Sequence, residues 1–262
     1  MLFLLSPAKT LDYNSPAQVA RATTPQFVSQ SAELINLLKT KSVADIAALM
    51  NLSEPLAALN VGRYGVWNPR FTAKNSKPAV LAFNGDVYEG LAASSLGDDD
   101  LDWAQQHLLI LSGLYGVLRP LDKMQPYRLE MGTALANTRG KSLYAYWGDT
   151  LAQHINQRMK SDPSPVIVNL ASQEYFRAVQ PTPNSRWLKP RVVECVFEDW
   201  KSGQYKVISF FAKRARGLMA RYAITHRVQT PQGLQAFDSE GYAFDASASA
   251  SEPHRLVFRR KL

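Results

Sequence analysis

Residues 1–13 read MLFLLSPAKTLDY, and the apolar run Leu2–Leu5, ended at once by Ser6 and Pro7, decides the architecture. A strand with one wet face alternates apolar and polar side chains. A strand buried on both faces does not, and such strands lie at the centre of parallel sheets covered by helices. Residues 79–83, 108–111 and 166–169 have the same unbroken apolar character. Residues 192–197 and 205–211 flank the polar stretch DWKSGQ and read as an antiparallel hairpin, and residues 255–259 read as a last strand.

Working outward, helical periodicity appears over residues 25–38, 43–50, 54–64, 98–106, 143–159, 172–179 and 213–226, with Ser42, Ser53 and Ser172 where N-caps belong. Strands mixed with helices, including an antiparallel pair, predict a mixed α/β (α+β) fold with one main mixed sheet flanked by helices. No linker or repeat divides the chain, so residues 1–262 are expected to form one domain with a helical N-terminal insertion. The ASASAS patch at residues 246–251 is expected to be an exposed loop.

The chain has 262 residues, 30 Lys and Arg against 22 Asp and Glu, and a formal charge of +8. The excess is uneven. Between residues 186 and 227 lie ten basic residues and three acids, whereas residues 86–102 hold six acids and no Lys or Arg. Such polarity favours a polyanionic partner at a basic face or cleft. The lone Cys195 excludes an intramolecular disulfide and, inside VVECVF, reads as a buried structural thiol. The apolar start is too short for a signal peptide or membrane span and lacks a basic leader, so a cytoplasmic protein without a membrane partner is expected.

Polar residues crowd the ends of three predicted strands: SPAKT after residue 5, NGDVY after residue 83, and ASQEY after Leu170. The carboxyl edge of a sheet is the usual place for an α/β site, so these stretches suggest one shared pocket, although the same residue types also serve as turns and caps. Ser6 and Lys9 match S-x-x-K, in which a lysine can activate a serine, but the companion elements of penicillin-binding enzymes are missing. Residues 111–132, LSGLYGVLRPLDKMQPYRLEMG, are too rich in glycine and proline for regular structure. They are also too rich in aromatic and ionisable groups for an idle loop. Arg119 and Arg128 there either face a ligand or pair with local carboxylates.

Residues 42–64 read as two short helices joined by a tight turn, with Ile46, Leu49 and Met50 facing Leu56, Leu59 and Val61 or Tyr64. A helix-hairpin-helix DNA module has this layout, its hairpin amides and helix N-terminus holding a phosphate. The usual hairpin glycines are absent, and Glu54 would repel a phosphate. Residues 210–227, FFAKRARGLMARYAITHR, start as a strand and continue as a helix with Lys213, Arg214 and Arg216 in its first turn. Cations there oppose the helix dipole, and no acid lies between residues 200 and 237, so either Glu130 or Glu174 folds against them or a phosphate does. His107, His154, His226 and His254 show no metal-ligand spacing, and there is no Walker A or G-x-G-x-x-G stretch. No metal and no cofactor are expected.

Taken together, MLFLLSPAKTLDY, LAFNGDVYEGL, LSGLYGVLRPLDKMQPYRLEMGT, YAYWGD, VNLASQEYF, FFAKRARGLMARY and GYAFD resemble, in order over nearly the whole chain, the peroxide stress protein YaaA family. The resemblance implies a cytosolic bacterial protein of the hydrogen peroxide stress response that limits unincorporated intracellular iron. It also implies a compact, family-specific mixed α/β fold with a positively charged cleft. A helix-hairpin-helix-like element, carried here by residues 42–64, would bind duplex and branched DNA.

Two functions remain open. In the first, Lys9, Arg63, Arg119, Arg128, Lys213, Arg214, Arg216 and Arg221 hold DNA phosphates without reading sequence, and Asn51 and Ser53 supply hairpin contacts. In the second, the cleft is an enzyme site for a small phosphorylated or nucleotide-like ligand, with Ser6, Lys9, Asp86, Tyr127 and Glu130 as polar or proton-transfer groups. A groove about 20 Å wide would suit a duplex; a closed pocket of ~300–1,000 Å³ would suit a small ligand.

Overall fold

The computed structural model describes residues 1–17, 19, 21–163, 165–182, 185, 187–250, 252 and 254–261. At its centre β1 (Leu2–Leu5) pairs in parallel with β5 (Leu108–Ser112) on one side and β8 (Val166–Asn169) on the other. Every residue of these three strands is buried, as their unbroken apolar pattern requires. The parallel run continues from β8 to β9 (Arg191–Lys201) and from β9 to β12 (Arg255–Arg260). Antiparallel strands complete the eight-stranded mixed sheet: β6 (Gly116–Leu118) on β5, β11 (Ala243–Phe244) on β12, and β10 (Gln204–Lys206) on the far end of β9.

β9 is 11 residues long, and only Arg191–Glu194 pair with β8. The rest of the strand reaches about 20 Å past the end of β8 at ordinary strand rise. It forms, with β10 and β12, an arm at the carboxyl edge of the parallel strands. Ser202 and Gly203, both at positive φ, turn the chain between β9 and β10.

Between β1 and β5 the chain builds a helical layer from α1 (Val28–Lys39), α2 (Val43–Met50) and α3 (Glu54–Val66). Ser42 and Asp45 form a reciprocal capping box that starts α2, and left-handed Asn51 (φ 51°) ends it. Two small strand pairs follow. β2 (Thr10–Leu11) pairs with β4 (Phe83–Asn84), and β3 (Lys77–Pro78) pairs with β7 (Lys123–Met124), with one helical turn, α4 (Ala79–Ala82), between β3 and β4. α5 (Asp86–Leu91) and α6 (Asp98–His107) lead into β5. α7 (Leu143–Trp147) and α8 (Thr150–Arg158) precede β8, and α9 (Gln173–Phe176) follows it. α10 (Ser209–Thr225) packs on β9 and across α5, and α11 (Ala246–Ser249) packs on β12.

The α5–α10 crossing is close enough that glycine is required on both sides. A methyl group on Gly217 would collide with the Val87 carbonyl oxygen, and one on Gly90 with the Arg214 carbonyl oxygen. Most of the buried positions of α10 are correspondingly small, namely Ala212, Ala215, Gly217, Ala220 and Ala223, with Met219 and Ile224 the larger exceptions.

Several sequence expectations need correction. Residues 79–82 are a largely buried helical turn and only Phe83 is strand, because short apolar runs do not distinguish helix from strand and the backbone here docks on Pro120 and Asp122. The strand expected over residues 205–211 stops at Lys206. The 3.6-residue spacing of Ala212, Ala215 and Met219 extends back to Ser209 and makes the rest helix. Lys213, Arg214 and Arg216 therefore lie beyond the first turn of α10, and the dipole argument for an anion loses its basis. The helix expected over residues 143–159 breaks at Gly148, which has φ 49°. The helix expected over residues 172–179 is only four residues long. Residues 246–249 form a short helix capped by the Asp245 carboxylate, while residue 251 lies outside the described residues. In the α2–α3 pair Ile46, Ala57 and Tyr64 are buried, but Leu59 is half exposed. No helix among the described residues is long and apolar enough to cross a membrane.

Candidate functional site

A cleft of about 500 Å³ opens at the carboxyl ends of β1 and β8. All three polar stretches meet there: residues 6–10 after β1, Asn84–Asp86 between β4 and α5, and Ser172, Glu174 and Tyr175 after β8. Glu130 from the 111–132 segment and Lys213 and Arg216 from α10 complete its wall. The second stretch follows a two-residue strand of a separate small pair, yet β2–β4 pairing brings it to the same edge.

Ser6 ties the two central strand ends together. Its hydroxyl accepts the Ser172 N–H at 2.8 Å and donates to the Ser172 hydroxyl at 3.2 Å, and its carbonyl accepts the Tyr88 hydroxyl at 3.0 Å. Lys9 turns elsewhere: its ammonium pairs with Glu130 at 2.8 Å. The lysine–serine activation suggested by S-x-x-K is thus not assembled. Glu130 also accepts Arg128 at 3.0 Å. Burial works to raise the Glu130 carboxyl, but Lys9 and Arg128 together outweigh it and hold it below the usual carboxylate range. Glu174 accepts the Gly132 N–H at 2.9 Å, so neither Glu130 nor Glu174 is spent on α10.

Lys213 and Arg216 are the exception in this well-satisfied wall. Neither makes a hydrogen bond or ion pair among the described residues. Lys213 is exposed and Arg216 is half-buried. Burial pulls the Arg216 guanidinium down, and the Glu194 carboxylate opposes that without contacting it. A partly desolvated guanidinium with open donors, beside an ammonium, at the mouth of a cleft suits an anion.

The remaining nominated residues lie elsewhere or are engaged. Arg214 pairs with Glu240 at 2.6 Å and reaches Glu89 at 3.9 Å. Arg221 donates to the Leu91 and Ala92 carbonyls, both at 3.1 Å, and so caps the C-terminus of α5. Arg119 pairs with Asp122 at 2.9 Å. Arg63 is half-buried and donates to Asn60 at 3.3 Å. Tyr127 is buried outside the cleft, its hydroxyl 2.6 Å from Ser112 and its pKa pushed up by burial. Asp86 lines the cleft with Glu130. Among the described residues, no three His, Cys, Asp or Glu side chains gather as metal ligands.

Asn51 and Ser53 are exposed at the α2–α3 turn. The amides of Asn51 and Leu52 both donate to the Ala47 carbonyl, so the turn offers only the first turn of α3 to a phosphate. The α3 helix is joined to the 111–132 segment by the Tyr64 hydroxyl, which donates to the Arg128 carbonyl. That segment is largely core: Tyr115 and Tyr127 bury their rings and hydrogen-bond their hydroxyls, and only its Arg128–Glu130 end reaches the cleft. Asn84, Ser172 and Glu174 were not nominated individually; their place at polar strand ends was the available signal.

The match to known proteins covers this whole arrangement. A family model described as Peroxide stress protein YaaA matches residues 1–248. The chain belongs to the YaaA family. A UPF0246 protein of Bordetella petrii is 64% identical over 261 residues, covering the whole of both chains. One from Paracidovorax citrulli is 63% identical over 262 residues, covering all of this chain and 99% of that one. One from Polaromonas naphthalenivorans is 64% identical over 260 residues, covering 99% of this chain and 98% of that one. The residues matched by the YaaA model include every cleft residue described above.

Proposed function

We propose that this YaaA-family protein binds DNA in the peroxide stress response. It would hold duplex and bent or branched DNA by the phosphate backbone and limit oxidative damage by restraining free intracellular iron. The observation that carries the DNA part is the pair Lys213 and Arg216, without a hydrogen-bond or ion-pair partner among the described residues, at the wall of a cleft that also presents Lys9. A chain of formal charge +8 adds long-range attraction for a polyanion. Backbone contacts position a protein without reading sequence, which fits a site with no base-reading helix. The turn at Asn51 and Ser53 is a second contact through the first turn of α3, and Arg63, in the last turn of that helix, lies at its other end. The iron part rests on family membership.

Titrating labelled duplex at several salt concentrations tests the DNA part. Three cleft cations neutralising phosphates give a log–log slope of about −3, and a slope near zero overturns the reading. For iron, a strain lacking the gene should show more chelatable iron by electron paramagnetic resonance; unchanged iron overturns that part.

A second reading is favoured by the size and lining of the cleft. Its volume of about 500 Å³ falls within the ~300–1,000 Å³ typical of small-molecule sites. Hydroxyls of Ser6 and Ser172 and the carboxylates of Asp86, Glu130 and Glu174 share it with the cations. An enzyme acting on a small phosphorylated or nucleotide-like ligand would use such a wall. Saturable binding of a free mononucleotide that displaces no duplex would support that reading over the first.

A further inference from the structure

The cleft holds open charge of both signs. Asp86, at the start of α5, is half-buried in its wall, and no hydrogen bond or ion pair closes on its carboxylate among the described residues. Glu174 gives one carboxylate oxygen to the Gly132 N–H and, among the described residues, keeps the other open. Lys213 and Arg216, from α10, line the same space and form an ion pair with neither acid. The rest of the lining includes apolar surface from Pro7, Ala8, Leu170 and the buried ring of Tyr175.

A phosphate backbone alone does not complete this site. Phosphates would satisfy Lys213 and Arg216, but they only accept hydrogen bonds and they repel Asp86. A half-buried carboxylate calls for donors. The fitting ligand therefore brings N–H groups together with its anion. A volume of about 500 Å³ holds one nucleotide and excludes a length of duplex. A nucleotide carries each part the cleft faces: an anionic phosphate, a flat apolar body and a base edge with donors. Guanine presents a parallel pair of N–H groups on its Watson–Crick edge, which a carboxylate accepts together. Thymine offers a single N–H there, and an abasic sugar offers none.

We propose that the cleft admits one extrahelical nucleotide of a bound DNA, its phosphate at Lys213 and Arg216 and the donor edge of its base, guanine best, on the Asp86 carboxylate. The proposal deepens the DNA-binding reading, on which it rests. A nucleotide that is already unpaired enters most readily, because extruding a paired base costs its stacking and pairing. A free nucleotide has the same chemistry, and the experiment separates the two sources.

The full chain is titrated with labelled duplexes that differ at a single position: fully paired, or carrying one extra guanine, thymine or abasic sugar. The abasic bulge interrupts the helix as the others do and removes the base. The guanine bulge should bind about ten-fold tighter than the abasic one, the discrimination of one bidentate contact, with thymine between them. Asp86→Asn should bring the guanine and abasic bulges within about two-fold of each other. Guanosine monophosphate should bind the parent about a hundred-fold more weakly than the guanine bulge, since only DNA adds flanking backbone contacts. Guanine and abasic bulges bound alike by the parent would overturn the proposal, as would a guanine preference that survives Asp86→Asn. In either case binding of the paired duplex leaves the DNA reading standing. Guanosine monophosphate bound as tightly as the guanine bulge would overturn the proposal in favour of a free small ligand. Failure of every duplex to bind would remove the DNA reading with it.

Discussion

The two basic faces of α10 look alike in sequence and differ in every physical respect. Arg214 and Arg221 lie seven residues apart on the face that crosses α5, with Gly217 between them. One pairs with Glu240 and Glu89; the other caps the last carbonyls of α5. Lys213 and Arg216 turn toward the cleft and meet no protein partner among the described residues. A run of cations is therefore two things at once, a clamp between helices and an open anion wall. The difference shows only when each guanidinium and ammonium is matched to an acceptor. Charge density along the chain does not say which cations the protein has already used.

The most severe way to break the comparison acts on the closed face. Gly217→Ala would drive a methyl group into the Val87 carbonyl oxygen, a backbone atom that cannot swing aside. Although alanine favours helix, overpacking at a backbone contact dominates, and the expected loss is about 3 kcal/mol or more. Chemical denaturation measures it. A loss under about 1 kcal/mol would mean that the two helices separate readily and that the closed face is not a clamp.

On the open face the expectation reverses. Lys213→Gln with Arg216→Gln removes no hydrogen bond or ion pair found among the described residues, so stability should hold or rise slightly as a half-buried charge is relieved. Duplex affinity should fall about ten-fold or more, and the salt slope should become shallower by about 2. Equal affinity and slope in parent and variant would show that these cations do not meet phosphates.

The same contrast explains what was legible beforehand. β1, β5 and β8 could be read from unbroken apolar runs because burial on both faces leaves no other pattern, and the hairpin at Ser202–Gly203 could be read from its polar turn. The α2 boundaries followed from Ser42 and Asn51, whose capping chemistry is local. Residues 79–82 and 207–211 are not strand as their pattern suggests, because a short apolar stretch is compatible with helix or strand until its tertiary contacts are known. Convergence of the three polar stretches on one cleft was anticipated. The engagement of Arg214 and Arg221 was not, since Glu240 and the carbonyls of α5 are remote in sequence, whereas Arg119 pairs with the local carboxylate of Asp122, one of the two outcomes its sequence allowed. The 111–132 segment misled for a related reason: tyrosine hydroxyls that suggest chemistry also satisfy buried backbone, as Tyr115 does for Gln125.

Glu130 gives a finer test, since its charge offsets part of the attraction that Lys9 and Arg128 offer an anion. Its carboxyl is held below the ordinary range, so its contribution to folding is fully present above the ordinary carboxylate pKa and is lost as pH falls through the lowered value. Over that acidic window the two cations are released, and duplex affinity should rise. Glu130→Gln should strengthen binding a few-fold at neutral pH, roughly 1 kcal/mol for one removed like-signed charge. It should also flatten the acid rise relative to the parent, which separates Glu130 from Asp86 and Glu174. Weaker binding by Glu130→Gln at every pH would show that the carboxylate itself touches the ligand.

The smallest effect belongs to Tyr127→Phe. The Tyr127 hydroxyl lies 2.6 Å from Ser112 in the core, where its ring packs edge to face on Tyr115 and Phe83. Removing the hydroxyl keeps the ring and its packing, and Ser112 still accepts the Tyr115 N–H at 2.9 Å. One hydrogen bond is lost and no charge changes, so stability should fall by about 1 kcal/mol. DNA affinity and its salt slope should stay as in the parent, because the residue neither lines the cleft nor holds a residue that does. Peroxide survival of cells carrying the variant is the decisive measurement. Survival should match the parent once protein levels are equal. If cells carrying Tyr127→Phe become peroxide-sensitive while folding and DNA binding are intact, the hydroxyl has a chemical task that a backbone-binding wall does not require, and the small-ligand enzyme reading takes precedence over DNA binding.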